Sequence, residues 1–171
     1  LGRPDLRPAG IKGFSQYDKL YADVELWFAQ GWLDYLAPQL YWPIAQEAQA
    51  FSQLLNYWIA QNAKARHLWP GLFTSRIDSS EKSWQPEEIL QQIALTRSAA
   101  GATGHLHFSA VALTQNRKGI ADALRASTYT MDALVPASTW LAPKTLAIDP
   151  APKATLRCTA PPNCILALVD S

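Results

Sequence analysis

Eleven residues, Leu33-Asp34-Tyr35-Leu36-Ala37-Pro38-Gln39-Leu40-Tyr41-Trp42-Pro43, constrain the fold of this chain more than any other stretch. The run is aromatic and closed by a proline, so it makes a poor helix. At period two it sets Leu36, Pro38 and Leu40 against Tyr35, Ala37, Gln39 and Tyr41, an apolar face opposite one that turns polar toward its C-terminal end. Before it, Tyr17, Leu20, Tyr21, Val24, Trp27 and Phe28 recur at helical spacing as one apolar stripe, with Ser15 and Asp18 as a start signal and Gly31 as a stop. After it, Phe51, Leu54, Leu55, Trp58 and Ile59 form the stripe of a helix running from Ala45 or Glu47 to Ala63. A strand between two helices is the grammar of a βαβ chain.

The pattern repeats. A second strand reads from His67 to Ser75 and leads into a polar loop, Arg76 to Ser83. Pro86, followed by Glu87 and Glu88, opens a third helix that carries Ile89, Leu90 and Ile93 and stops near Gly101. A third strand, His105 to Ser109, precedes a helix from Asn116 bearing Ile120 and Leu124. The strands recur about every 35 residues, roughly one βα unit. Their phases predict Leu36, Leu40, Leu68, Leu72, Leu106 and Phe108 toward the helices, with Gln39, Tyr41, Phe73, Ser75, His107 and Ser109 facing the other way. An interior that becomes polar at strand C-termini fits the last three units of a (β/α)8 TIM barrel, an α/β fold, better than an open doubly wound sheet, whose strands are near-continuously apolar. Pro38 and Pro70 each remove a ladder donor and are expected to mark bulges.

Residues 1–141 read as the C-terminal part of such a barrel. Leu1 to Gly13 is a loop entered in mid-course, which predicts a fragment of a longer protein. Residues 142–171, punctuated by prolines, read as a linker and the start of a β-sandwich-like module. A net charge of +1, without a basic run, gives no electrostatic reason to expect nucleic acid as a partner. No apolar run approaches the ~20 residues of a membrane span. Cys158 and Cys164 fit a local disulfide in an oxidising compartment better than a metal site, although two free thiols would look the same.

Several runs resemble the glycoside-hydrolase-like barrel of bacterial cell-envelope proteins, whose members include peptidoglycan glycosidases. They are Tyr17 to Trp27 (Tyr-x-x-Leu-Tyr-Ala-Asp-x-x-x-Trp), Gly31 to Trp42, Leu72-Phe73-Thr74-Ser75-Arg76-Ile77, Gly104 with His107-Phe108-Ser109, Leu134-Val135-Pro136 and Trp140-Leu141. Asp-Tyr-Leu-Ala-Pro-Gln-Leu-Tyr-Trp is the most specific of them. The resemblance implies an eight-stranded barrel, here its sixth to eighth strands, and a β-sandwich often following. It also implies hydrolysis of a bacterial polysaccharide such as peptidoglycan glycan by an exported protein of the periplasm or cell envelope; the sequence shows no Cys/His cluster or Gly-rich phosphate loop, so neither cofactor nor metal is expected. The acidic motif that family members carry at the end of an earlier strand has no counterpart here.

Glycosidases need two carboxyl groups flanking the scissile bond, plus aromatic faces and polar groups for the sugar. For the second set the candidates are Gln39, Tyr41, Trp42, Arg76, His107 and Ser109. Trp42 falls by parity on the helix side, so packing competes with a sugar contact, and His107 reads equally as a hydrogen-bonded core histidine. Asp78 and Glu81 are the candidate catalytic carboxylates, with solvated loop charges as the competing reading. Trp27 and Trp58 read as helix core and Trp69 as core at the barrel bottom. Two functions follow: part of a glycosidase, or a non-catalytic carbohydrate-binding or structural module.

Overall fold

Ser15 starts the first helix as its spacing to Asp18 predicts, its hydroxyl accepting the Asp18 N–H at 3.1 Å. The helix does not run on to Gly31. In the computed structural model, which describes residues 1–141, it ends after five residues (α1, Gln16–Leu20), with Tyr21 left-handed at φ 52°. Asp23 then caps a second helix (α2, Val24–Gln30) by accepting the Leu26 N–H. The break divides the predicted stripe: Phe28 is buried and Trp27 half-buried, whereas Tyr17, Leu20 and Tyr21 are exposed. Gly31 closes α2 at φ 71°, where glycine avoids the strain of a side chain.

The extended run supplies β1 (Tyr35–Leu36), and α3 (Phe51–Ala60) follows a short 3-10 turn at Glu47–Gln49. The second extended segment is split around Pro70 into β2 (His67–Leu68) and β3 (Gly71–Leu72). Pro86 opens α4 (Pro86–Ser98) at its first turn, as predicted, and β4 is Leu106–His107. The chain then forms α5 (Ala110–Thr114), which the sequence reading missed, and α6 (Ile120–Ala123), continued by a π-helical stretch, Leu124–Thr128.

Every strand pairing among the described residues is parallel. β1 lies on β2 with Tyr35 opposite His67, β3 lies on β4 with Leu72 opposite His107, and a bridge between Gln39 and Gly71 links the two pairs. The middle segment donates from His67, Trp69 and Gly71 to the carbonyls of Asp34, Leu36 and Pro38, and accepts at Leu68, Pro70 and Leu72 from Thr103, Leu106 and Phe108. Both prolines therefore keep their acceptors in use. Between Leu68 and Pro70 the middle segment advances by two residues, while the third advances by three, from Thr103 to Leu106. That extra residue is a bulge, opposite the proline whose missing N–H leaves the ladder weakest.

The register corrects the expected phase of the third strand. Leu40, Leu72 and His107 align on the side packed against the helices, while Tyr41, Phe73 and Phe108 align on the other. Leu106 and Phe108 thus point away from the helices and are 43% and 50% exposed, whereas Leu40, Leu68 and Leu72 are buried as predicted. The core joins these leucines to Phe28, Phe51, Leu54, Leu55, Trp58, Ile89, Ile93, Ile120 and Leu124. Burying each large side chain is worth about 1.5–3 kcal/mol.

Leu1–Met131 is one compact unit, and the chain from Asp132 onward belongs to a second. Of the second, residues 132–141 are irregular chain with one turn, Leu141 N–H to Ser138 O at 3.0 Å. The expected linker, the β-sandwich start and the Cys158–Cys164 pair lie outside the described residues.

Candidate functional site

On the face turned away from the helices the aromatic side chains form two tiers. Toward the strand N-termini, Trp69 is stacked on Tyr35 (centroids 4.8 Å) and on His67 (5.1 Å). Trp69 is only half-buried, so it is not a closed core residue here. Toward the C-termini, Tyr41 stacks on Phe73 at 5.0 Å and on Phe108 at 5.3 Å, and Trp84 meets Phe73 edge-on at 6.1 Å. Glycines make both tiers possible. A Cβ on Gly71 would lie 3.1 Å from Tyr41 Cε1, and one on Gly104 would lie 3.1 Å from Trp69 Cδ1. Each ring therefore leans onto a bare glycine of the next extended segment.

Tyr41 has neighbours on its ring, and burial pushes its phenol above the usual value. Phe108, half-exposed beside it, presents the more open ring. Gln39 is exposed on the same face. Trp42 packs half-buried against the core, and its carbonyl accepts from Gln92 Nε2 at 3.1 Å. Gln39 and Trp42 also line a cavity of about 600 Å³, together with Phe14, Gln16, Val24 and Trp58.

Polar groups gather where the strands end. Ser109 N–H donates to Ser75 Oγ at 2.7 Å, the two hydroxyls lie 3.1 Å apart, and Ser75 N–H reaches Phe108 O at 2.8 Å. Arg76 stands 4.0 Å from Asp78, and its carbonyl takes the Trp84 N–H, closing the loop. Asp78 Oδ1 accepts the Ser80 N–H at 2.8 Å and the Ser80 hydroxyl at 2.6 Å. Those bonds, assisted by Arg76 and Arg117, hold its carboxyl below the usual range. An ionised, turn-forming Asp78 can accept a proton or orient a group but is poorly suited to act as a general acid. Glu81 is exposed on the same loop. The structure therefore brings Gln39, Tyr41, Phe73 and Phe108 onto one face, with Ser75 and Ser109 at the strand ends.

His107 does not join that face. It lies on the helix side, with Nδ1 at 2.7 Å from the buried Thr74 hydroxyl and Nε2 at 2.7 Å from Tyr129 Oη. His105 Nε2 reaches the same phenol oxygen at 2.5 Å. Burial lowers His107, while His105 is pushed down to about 4 by burial, then by His107 and Arg97. The bulge and a parity argument that assigned apolar residues to the helix side explain why sequence reasoning put His107 inward.

Two other groups escaped the sequence reading. Glu88 Oε1 accepts the Ile44 N–H at 2.7 Å and Gln92 Nε2 at 2.9 Å, tying α4 to the loop after β1. Buried Glu25 Oε1 accepts the Tyr57 hydroxyl and the Arg3 N–H, each at 2.5 Å, and Tyr57 is raised by burial and then by that bond. A buried carboxylate on a helix facing an apolar stripe is visible in sequence only as an interruption of the stripe. Among the described residues, no group of three or more His, Cys, Asp or Glu converges, and no helix is long and apolar enough to cross a membrane.

Residues 5–88 match the family model of glycosyl hydrolase-like 10. The chain is 40% identical over 133 residues to glycosyl hydrolase YngK of Bacillus subtilis, covering 75% of this chain and 26% of that protein. It is 45% identical over 47 residues to glycosyl hydrolase DigH of Escherichia coli, covering 28% of this chain and 11% of that protein. The chain thus spans about a quarter of the first relative's length and about a tenth of the second's.

Proposed function

We propose, from the match of residues 5–88 to the glycosyl hydrolase-like 10 family model, that the chain is the sugar-holding C-terminal part of a glycoside hydrolase barrel. The single observation carrying this reading is the aromatic tier at the strand C-termini, with Tyr41 seated against Phe73 and Phe108 and polar Gln39, Ser75 and Ser109 around it. Aromatic rings take the apolar faces of pyranose rings, and amide and hydroxyl groups take the sugar hydroxyls. Such a surface at the C-terminal ends of parallel strands is where a barrel places its active site. The substrate we propose is a bacterial cell-wall polysaccharide, peptidoglycan glycan, met by an exported protein in the periplasm or cell envelope.

The paired carboxylates belong elsewhere in the whole protein on this reading. Asp78 is engaged in a turn with Ser80. The chain alone binds glycan and does not cleave it, so as a separate piece it behaves as the carbohydrate-binding module considered above. The test is calorimetric titration of the whole protein with peptide-free glycan oligomers. Phe108→Ala is expected to weaken binding about tenfold, or ~1.4 kcal/mol, at unchanged fold. Trp58→Ala, a buried helix position, should change affinity little once the folded fraction is equalised. Equal losses from both variants would refute the tier as a sugar contact.

A further inference from the structure

Between β4 and the chain leaving the last helix, three side chains converge on one point. His105 and His107 are two residues apart on an extended segment and so share a face. Their Nε2 atoms lie 2.5 and 2.7 Å from Tyr129 Oη, with the two rings nearly perpendicular at 86°. One phenol carries one proton, so it donates to one imidazole while accepting from the other. Two ring nitrogens therefore flank one oxygen, three donor atoms gathered at one place. Thr74, buried behind His107 and 2.7 Å from its Nδ1, can receive that nitrogen's proton as a hydrogen bond. This would leave the His107 Nε2 lone pair directed at the same place, which is the outer-shell arrangement that orients imidazole ligands.

We propose that His105, His107 and Tyr129 form a three-ligand site for a borderline divalent first-row cation, with Zn²⁺, Ni²⁺ and Cu²⁺ as the fitting class. Two imidazoles and a phenol oxygen match these ions, whereas Ca²⁺ and Mg²⁺ require oxygen-rich shells. With metal–ligand bonds of about 2.0–2.1 Å, the donors of a tetrahedral site stand roughly 3.3 Å apart, so small ring rotations widen the present 2.5 and 2.7 Å contacts as the ion enters between them. The cation replaces the phenol proton, which passes to solvent, and water completes the coordination. Arg97 lies over the Tyr129 ring, 5.9 Å from its centroid. Its charge opposes the cation while favouring the phenolate. Bound metal would fasten β4 to the end of the last helix. The proposal does not depend on glycan binding, because the site is on the opposite face of the strands.

The experiment uses chain freed of metal by chelator, with Cys158→Ser and Cys164→Ser in the background to remove competing thiols. Titration with Zn²⁺ should show one ion per chain, with a thermal midpoint that rises with Zn²⁺ concentration. His105→Ala should weaken Zn²⁺ about 100-fold, and circular dichroism reports whether the variant is folded. His107→Ala should do the same, but its contact with buried Thr74 makes His105→Ala the deciding variant. Cu²⁺ loading should give a phenolate-to-metal charge-transfer band that Tyr129→Phe removes. No saturable one-to-one binding, or an affinity unchanged in folded His105→Ala, would overturn the site. A copper complex lacking the band would overturn Tyr129 as a ligand.

Discussion

Gly71 sits beneath the Tyr41 ring, and the contact is close enough to measure. An added methyl would stand 3.1 Å from Tyr41 Cε1 and 3.5 Å from the Pro38 carbonyl oxygen, tighter than ordinary packing on the ring side. Gly71 has an ordinary negative φ, so the cost of Gly71→Ala is contact and not backbone strain. The expected loss is about 1–3 kcal/mol in denaturant unfolding, typical of overpacking, with a change in near-ultraviolet circular dichroism as Tyr41 is displaced. A neutral Gly71→Ala would mean that the ring has room to move. None of this is legible in one sequence. Glycine and tyrosine 30 positions apart become neighbours only through the register.

Capping was more legible, because it is local. Ser15 bonds the amide three residues on, as its spacing predicts, yet Asp23 does the same for α2 from within a span whose apolar stripe runs through without a visible break. Hydrophobic periodicity reports the face of a helix and does not report a break when the stripe resumes in phase. Asp23→Ala is expected to destabilise the chain by about 1 kcal/mol, seen as a lower denaturant midpoint at unchanged slope. A neutral result would leave the Leu26 amide adequately solvated without its cap. Parallel order, helix sides and the buried leucines of the first two extended segments followed from periodicity and spacing. The third segment did not, because Leu106 and Phe108 are apolar on a face that is itself aromatic. There hydrophobicity no longer distinguishes inside from outside, and a single extra residue at the bulge decides the phase.

At the scale of the whole molecule the two histidines of β4 and its approach make stability depend on pH. Both bind protons less readily folded than unfolded, chiefly through burial, with the pair and Arg97 acting on His105 as well. The unfolded chain therefore takes up protons first as pH falls. Stability is fully present above about 6.5, the ordinary histidine value, and declines as pH drops toward about 4. The thermal midpoint, measured with chelator present, should fall across that window, and His105→Gln should flatten the fall. A wild-type midpoint constant from pH 7 to 4.5 would contradict the buried placement. Lowered carboxylates such as Asp78 act only below this range, whereas His67, also lowered by burial, adds to the same decline, so His105→Gln reads out the His105 share alone.

The leaning rings also impose an order in time. Tyr41 and Trp69 each rest on a glycine that comes later in the chain, 30 residues later for Gly71 and 35 for Gly104. A chain made from its N-terminus at about 5–20 residues per second releases each ring roughly 2–7 s before its seat exists. During that interval the newest aromatic is uncovered on the growing edge of the sheet. Each arriving glycine segment seats one ring while delivering the next one unseated, so exposed aromatic surface is handed forward along the nascent chain and does not accumulate.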